Sequence, residues 1–183
     1  MQTYTDVDGQ FQFEYPAWFT RCVYENGSWG TCASYKRLCG PAWLAAWSPD
    51  SHTFLCAAYP PDRIPPGTYF LGAAVSISRI NAAPSKSECE DFAPHAAYAR
   101  QKKTTEVING TRFVSIALDG AAMGHSSDFH AYRAFHGGAC YELDLAVNYL
   151  TGTGYDPGTL KEFDTKPVEE ALSETLHSFR FLK

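Results

Sequence analysis

The sequence predicts an α+β fold, in which a central antiparallel β-sheet is flanked by helices and carries a cysteine-rich insertion. Three observations predict it. Short segments alternate apolar and polar residues with the period of a strand, two glycine-containing turns join such segments as hairpins, and two other segments have helical spacing. The 183 residues fit one domain, predicted to span residues 1–183, which can bury a substantial core.

The first predicted strand is 11–15, in which three aromatic residues alternate with two polar ones. Pro16 follows directly and ends it, because proline cannot donate to a sheet ladder. Segments 54–59 and 72–80 are further predicted strands. The second of these alternates Val, Ile and Arg with Ser and Ile, which is typical of a strand with two different faces.

Two hairpins are predicted from their turns. Asn109-Gly110 lies between β-rich flanks in 105–118, and Gly137-Gly138 joins 128–136 to 139–147. Alternation along the last of these segments divides its side chains between two faces. One face carries Tyr141, Leu143, Leu145 and Val147, and the other carries Cys140, Glu142 and Asp144.

Two helices are predicted. Ser85 and Glu88 have the spacing of a capping box, and a helix over roughly 86–101 follows, which Pro94 should kink or split. Near the C-terminus, Pro167 suits the first turn of a second helix. The apolar stripe of that helix is formed by Val168, Leu172, Leu176 and Phe179.

Cysteine content indicates disulfide bonding. Four of the six cysteines fall in the predicted insertion 21–56, and no two have the C-x-x-C spacing of zinc or redox sites. The cysteines predicted to form disulfides are Cys22, Cys32, Cys39, Cys56, Cys89 and Cys140. Cys89 lies on the inward face of the middle helix and Cys140 on the helix-covered side of a strand, so these two are plausible partners. Other connectivities stay open.

Composition and charge exclude several classes. There are 15 Lys and Arg against 20 Asp and Glu, a net charge of −5, and no basic run exceeds Lys102-Lys103. Nucleic acid is therefore not an expected partner. No stretch approaches the ~20 apolar residues of a membrane span. The cysteines favour an extracytoplasmic location, periplasmic or secreted, in which association with the envelope stays open. Residues 1–6 do not resemble a signal peptide, so we expect the signal peptide to have been removed. The alternative is a cytosolic protein with reduced cysteines.

The chain resembles the PsbP-like superfamily at two segments. These are Phe11-Gln-Phe-Glu-Tyr-Pro-Ala-Trp18 and Ser178-Phe-Arg-Phe181, and the resemblance covers roughly 9–18, 72–80 and 105–181. It implies an α/β/α sandwich. The family includes an extrinsic subunit of photosystem II, a nuclear import factor that binds the Ran GTPase, and many exported bacterial proteins. Most members look like binding or assembly modules, and the resemblance supplies no catalytic motif. The insertion 21–56 departs from the family pattern.

A metal or catalytic site could involve His125, His130 and His136. Metal ligands converge at about 2 Å, whereas residues six apart on a strand are separated by roughly 20 Å. These histidines therefore favour surface or hydrogen-bonding roles. Cys140 could act as a nucleophile if His130 or His136 faced it, but disulfide bonding is the stronger interpretation.

Aromatic residues crowd the insertion and could stack on sugars or peptides, although burial as a local core is favoured. The candidate binding surface consists of Trp29, Trp43, Trp47, His130, Tyr132 and His136. We therefore predict a non-enzymatic, exported binding or assembly module with a protein or small ligand as partner, and with no cofactor, metal or catalytic residue. The alternative is a small hydrolase or metal-dependent enzyme that uses the hairpin 125–140.

Overall fold

The computed structural model describes residues 1–8, 10–23, 51–81, 83, 85–92, 101–122, 124–151, 156 and 158–182. Antiparallel sheet dominates this part of the chain, and its helices are few. A seven-stranded sheet contains, in spatial order, β3 (Thr20–Val23), β4 (Ser51–Tyr59), β5 (Phe70–Ile80), β9 (Ala139–Leu150), β8 (His125–His136), β7 (Thr111–Ala122) and β6 (Thr104–Ile108). A three-stranded sheet contains β1 (Gln2–Asp6), β2 (Phe11–Tyr15) and β10 (Arg180–Phe181). The helices are α1 (Lys86–Glu90) and α2 (Lys166–His177), with a 3-10 turn at Pro61–Arg63.

The aromatic strand predicted at 11–15 is confirmed as β2. Phe11, Phe13 and Tyr15 are buried, while the two polar residues between them are half-buried. The strand pairs with β1 on one side and with β10 on the other, where Phe181 lies opposite Phe11. The last strand therefore returns to the first aromatic segment, and the three-stranded sheet joins the two ends of the described chain.

Both predicted hairpins are present. Asn109 and Gly110 have φ values of 47° and 80°, and Gly137 and Gly138 have φ values of 56° and 81°. Two consecutive residues with positive φ are what a type I′ turn requires, and its twist matches that of the flanking strands. These turns join β6 to β7 and β8 to β9, and continuous register from β7 through β9 makes this half of the sheet a meander.

The main core lies between one face of the seven-stranded sheet, α2 and the three-stranded sheet. Val168, Leu172 and Leu176 are buried on α2, as its apolar stripe predicts. They meet the Tyr141 face of β9 and the aromatic side chains of β2, and rings 5–6 Å apart link these layers, as between Phe11 and Phe179 at 5.5 Å. Burial of these large rings contributes to the hydrophobic stabilisation of the fold.

The opposite face of the seven-stranded sheet carries smaller apolar clusters. One contains Phe92 with side chains from β7, β8 and β9, and the other joins Ile80 and Ala83 to a disulfide between Cys89 of α1 and Cys140 of β9. The Cα atoms of these two cysteines are 5.4 Å apart. The pairing considered plausible from the sequence is therefore present, and it fixes α1 to the sheet.

The middle helix is shorter than predicted in the part that the structure describes. Its capping box forms between Ser85 and Glu88, as the sequence indicates, but the helix ends at Glu90 because Asp91 has extended backbone. A proline disfavours the helical conformation at the residue before it, so Pro94 favours a helix that ends upstream of it. Residues 93–100, predicted as the rest of this helix, lie outside the described residues, as do 24–50 of the predicted insertion.

Candidate functional site

The structure describes three of the six residues of the predicted binding surface. Trp29, Trp43 and Trp47 lie outside the described residues. The remaining three, His130, Tyr132 and His136, follow one another on the α2-facing side of β8, opposite Leu145, Leu143 and Ala139 of β9. This placement agrees with the alternation expected along a regular strand.

Only one of these three side chains is exposed. The His136 ring stacks on Phe181, with centroids 3.9 Å apart and planes 10° from parallel. Tyr132 packs against the main core, where burial and then the charge of Glu106 raise its pKa. His130 is exposed. Tyr132 and His136 are therefore partly buried against neighbouring side chains, and His130 is the exposed residue of the three.

His130 lies beside an acidic surface. Asp128, two residues before it, stands directly opposite Asp119 of β7. Partial burial raises the pKa of Asp128, and the charges of Asp119 and Glu169 raise it further, while a hydrogen bond from the Tyr149 hydroxyl at 3.3 Å and the nearby His130 lower it. Like charges at opposed strand positions weaken a sheet. The Asp128 carboxylate accepts a hydrogen bond from Tyr149. Among the described residues, His130 therefore has no hydrogen-bonded carboxylate that would orient it as a general base.

The C-terminal end of α2 is fastened to the first hairpin. The side-chain amide of Asn109 donates to the carbonyl oxygens of His177 and Phe179, at 2.7 and 2.9 Å. The His177 ring meets the Glu106 carboxylate at 2.6 Å. Burial alone would lower the pKa of His177, but its bonds to Glu106 and to the Ser173 carbonyl outweigh this and raise it. The Asn109 side chain thus holds a helix end, which is a structural use of a residue that also fits a glycosylation pattern.

A row of buried polar side chains crosses the opposite face of the sheet. Arg133 of β8 and Glu142 of β9 form an ion pair at 2.6 Å, with side chains 4% and 1% exposed. The guanidinium carbon lies 4.4 Å from the centroid of the Phe92 ring, and the guanidinium also donates to the Asp91 carbonyl at 3.4 Å. The segment fixed by the disulfide therefore covers the ion pair. Alternation predicts the shared face of Cys140, Glu142 and Asp144, but not the ion pair with Arg133 or the Phe92 ring that lies over it.

Asp144 extends this row toward β5. Its carboxyl accepts a hydrogen bond from Ser76 at 3.4 Å. Burial raises its pKa well above the ordinary value of 3.8, the charge of Glu142 raises it further, and Arg133 and Ser76 oppose the shift. One oxygen each of Glu142, Asp144 and Asn148 is buried without a hydrogen-bond partner. Protonation of Asp144 removes its repulsion with Glu142, so the raised pKa favours the protonated form in the folded protein.

We expect this proton to make stability depend on pH. The pKa of Asp144 is higher in the folded protein than in the unfolded chain, where it is near 3.8. Its protonated form therefore stabilises the fold fully at pH values below 3.8, and this contribution is lost as the pH rises through the pKa of the folded state. The free energy of unfolding of Asp144→Asn should therefore fall less than that of the wild type between pH 4.5 and 8. Urea unfolding at several pH values measures this. Asp8→Asn, at an exposed turn position, is the control, and equal slopes for both variants would contradict the expectation.

Cys140 cannot serve as a nucleophile, because its sulfur is bonded to Cys89 and the residue is fully buried. Cys22 and Cys56 are disulfide-bonded as well, and Cys32 and Cys39 lie outside the described residues. Within the described ranges, no three His, Cys, Asp or Glu side chains are grouped closely enough to hold a metal ion. None of the helices described there has the length and apolar character to cross a membrane.

An open pocket of about 510 Å³ lies where β3 begins and β4 ends. The guanidinium carbon of Arg63 lies 4.0 Å from the centroid of the Trp18 ring. Trp18 in turn contacts Phe19 and Tyr59 edge to face, at 4.7 and 5.1 Å between centroids. The described residues that line the pocket are Trp18, Thr20, Pro60, Pro61, Asp62 and Arg63. The sequence analysis included Trp18 in the PsbP-like segment but missed Arg63, whose only signal was its position after Pro60-Pro61.

No protein-family model matches the chain, and no curated protein sequence matches it. Among solved structures, the chain is similar to LpqN, a protein involved in cell envelope biogenesis of Mycobacterium tuberculosis. The two are 11% identical, the TM-score is 0.43, and the similarity covers 73% of this chain and 79% of that one. The PsbP-like resemblance stays a prediction.

Proposed function

We propose that this chain is a non-enzymatic, extracytoplasmic binding or assembly module built on a disulfide-stabilised antiparallel sheet. The observation that carries the proposal is the buried disulfide between Cys89 and Cys140, together with the bonded state of Cys22 and Cys56. Disulfides of this kind persist in oxidising compartments. The α/β/α sandwich, its single-domain organisation, its PsbP-like character and its association with the envelope belong to the same proposal.

The structural use of the hairpin 125–140 supports a binding role over catalysis. Cys140 is consumed by its disulfide, and His136 is packed against Phe181. The exposed His130 remains, beside an Asp128 carboxylate that accepts a hydrogen bond from Tyr149. A hydrolase would need a base aligned with a nucleophile and an orienting group. The side chains of this hairpin instead stabilise the packing of α2 and α1 on the sheet.

Thiol counting on protein from its native host tests the proposal. We expect intact mass after alkylation under denaturing, non-reducing conditions to show no alkylation, and reduced protein to take up six labels, one for each cysteine. Free thiols at Cys89 and Cys140 in the native-host sample would contradict an extracytoplasmic location.

The enzyme alternative predicts a different result at His130. As an exposed residue that does not reach the core, His130→Ala should leave the free energy of unfolding within about 0.5 kcal/mol of the wild-type value. Zinc content by mass spectrometry should also be unchanged. A loss of bound metal or of a hydrolytic activity in this variant would favour the alternative.

A further inference from the structure

The pocket between Trp18 and Arg63 has the chemistry of a specific ligand site. We propose that it binds a hydroxylated organic anion of the sugar-acid class, with Arg63 holding the carboxylate. This inference names the ligand class of the proposed binding module and therefore rests on that function. Its parts are a cation, an aromatic surface and a hydrogen-bond acceptor around an open cavity of about 510 Å³.

Arg63 is available to an anion. It is exposed, and none of the ion pairs found among the described residues includes it. A guanidinium that lies over an indole makes that contact with its flat face, and its N–H groups point outward in the plane of the guanidinium. Those N–H groups form a fork that matches the two oxygens of a carboxylate. Arg63 can therefore bind an acid without leaving Trp18.

Trp18 gives the Arg63 guanidinium a fixed surface to lie on. Its ring is held edge to face by Phe19 and Tyr59, two residues that are themselves buried in the main core. Pro60 and Pro61 fix the backbone just before Arg63, since proline restricts φ. Binding to a group already held in place loses less conformational entropy than binding to a mobile surface arginine. The pocket is thus more than a chance meeting of exposed side chains.

The remaining polar groups define the rest of the ligand. Asp62 lies beside Arg63 in the pocket lining, and its carboxylate repels a ligand that offers only negative charge. It can accept hydrogen bonds from hydroxyl groups, and the Thr20 hydroxyl can donate or accept. A molecule that carries hydroxyls next to its carboxylate satisfies Asp62, Thr20 and Arg63 together. Sugar acids have this arrangement, and simple carboxylates do not.

Amide NMR titration of the full chain with its disulfides intact tests this inference. We expect galacturonate to shift the indole N–H signal of Trp18, and galactose and acetate to leave it unchanged at the same concentrations. Arg63→Gln should weaken galacturonate binding at least about tenfold, because it removes charge-assisted hydrogen bonds. Arg79→Gln is the matched control, since Arg79 is also exposed. Its position on β5 lies opposite His52 in the strand register, at the end of β4 that is far from the pocket.

Digalacturonate separates the two sources of this chemistry. Equal affinity for both compounds indicates a free sugar acid, and tighter binding of the dimer indicates the end of an acidic polysaccharide. Absence of any galacturonate-induced shift in the folded wild type, or binding that Arg63→Gln leaves intact, would overturn the inference. Thiol counting distinguishes the two failures, because a chain without free thiols retains its proposed extracytoplasmic role even when the pocket binds nothing.

Discussion

Replacing both Cys89 and Cys140 by alanine is expected to lower the free energy of unfolding by about 4 kcal/mol. The disulfide joins residues separated by 51 positions, and in the chain-entropy model a loop of this length stabilises the fold by about that amount. The midpoint of thermal unfolding should fall by roughly 8–16 °C, since about 1 kcal/mol corresponds to 2–4 °C in a domain of this size. Urea and thermal unfolding of the oxidised proteins measure both quantities.

The same change should loosen a defined part of the fold. Cys89 fixes α1, and the segment directly after it carries Phe92 and the Asp91 carbonyl over the Arg133 side chain. Amide exchange should therefore accelerate first in α1 and in the facing parts of β8 and β9. Ser87→Ala changes an exposed α1 residue without touching the bond and should alter stability by no more than about 0.5 kcal/mol. A double-alanine variant as stable as this control would show that the disulfide constrains nothing essential.

Glu142→Gln is expected to destabilise the protein by about 3–5 kcal/mol. The substitution removes the carboxylate that pairs with the buried Arg133, and breaking a buried ion pair by removing one partner carries a penalty of that size. The double variant Arg133→Met, Glu142→Leu should recover most of the loss, because apolar residues of similar volume remove the desolvation penalty of both groups. A double-mutant cycle by urea unfolding separates these contributions.

An exposed ion pair provides the control for Glu142. Arg112 and Glu90 lie 2.8 Å apart, with side chains 51% and 26% exposed. Glu90→Gln should therefore change stability by less than about 1 kcal/mol, since water screens such pairs. If Glu142→Gln had an equally small effect, the ion pair between β8 and β9 would have to be open to water in solution.

Strand positions and turns were predictable because the signals for them are local. The three alternating aromatics of 11–15 specify a half-buried strand wherever that strand pairs, and Asn109-Gly110 and Gly137-Gly138 specify hairpins because few residues adopt positive φ twice in succession. The stripe of α2 was readable for the same reason. The start of the middle helix was readable from its capping box, and the described helix ends at Glu90, upstream of the Pro94 that was expected to kink or split it.

The candidate site was less predictable, because it depends on contacts between distant segments. The sequence placed His130, Tyr132 and His136 on one side of a strand, and the structure agrees. Nothing near His136 in the chain shows that Phe181 covers its ring. Arg63 likewise gains its role from Trp18, and strands β3 and β4 separate the two residues in the chain. Such pairings follow from topology, and a single sequence carries no direct record of them.

The sequence by itself determined most of the strands, though not β1 or β3, as well as which residues share a face, where the hairpins turn, and that the cysteines favour disulfides. Only the tertiary structure decided what lies over each face. Alternation placed Glu142 and Asp144 on the face that carries Cys140, and only the structure shows that Arg133 is buried there with them. The reason is physical: periodicity depends on the local backbone, whereas burial depends on which distant segment packs there and at what desolvation cost.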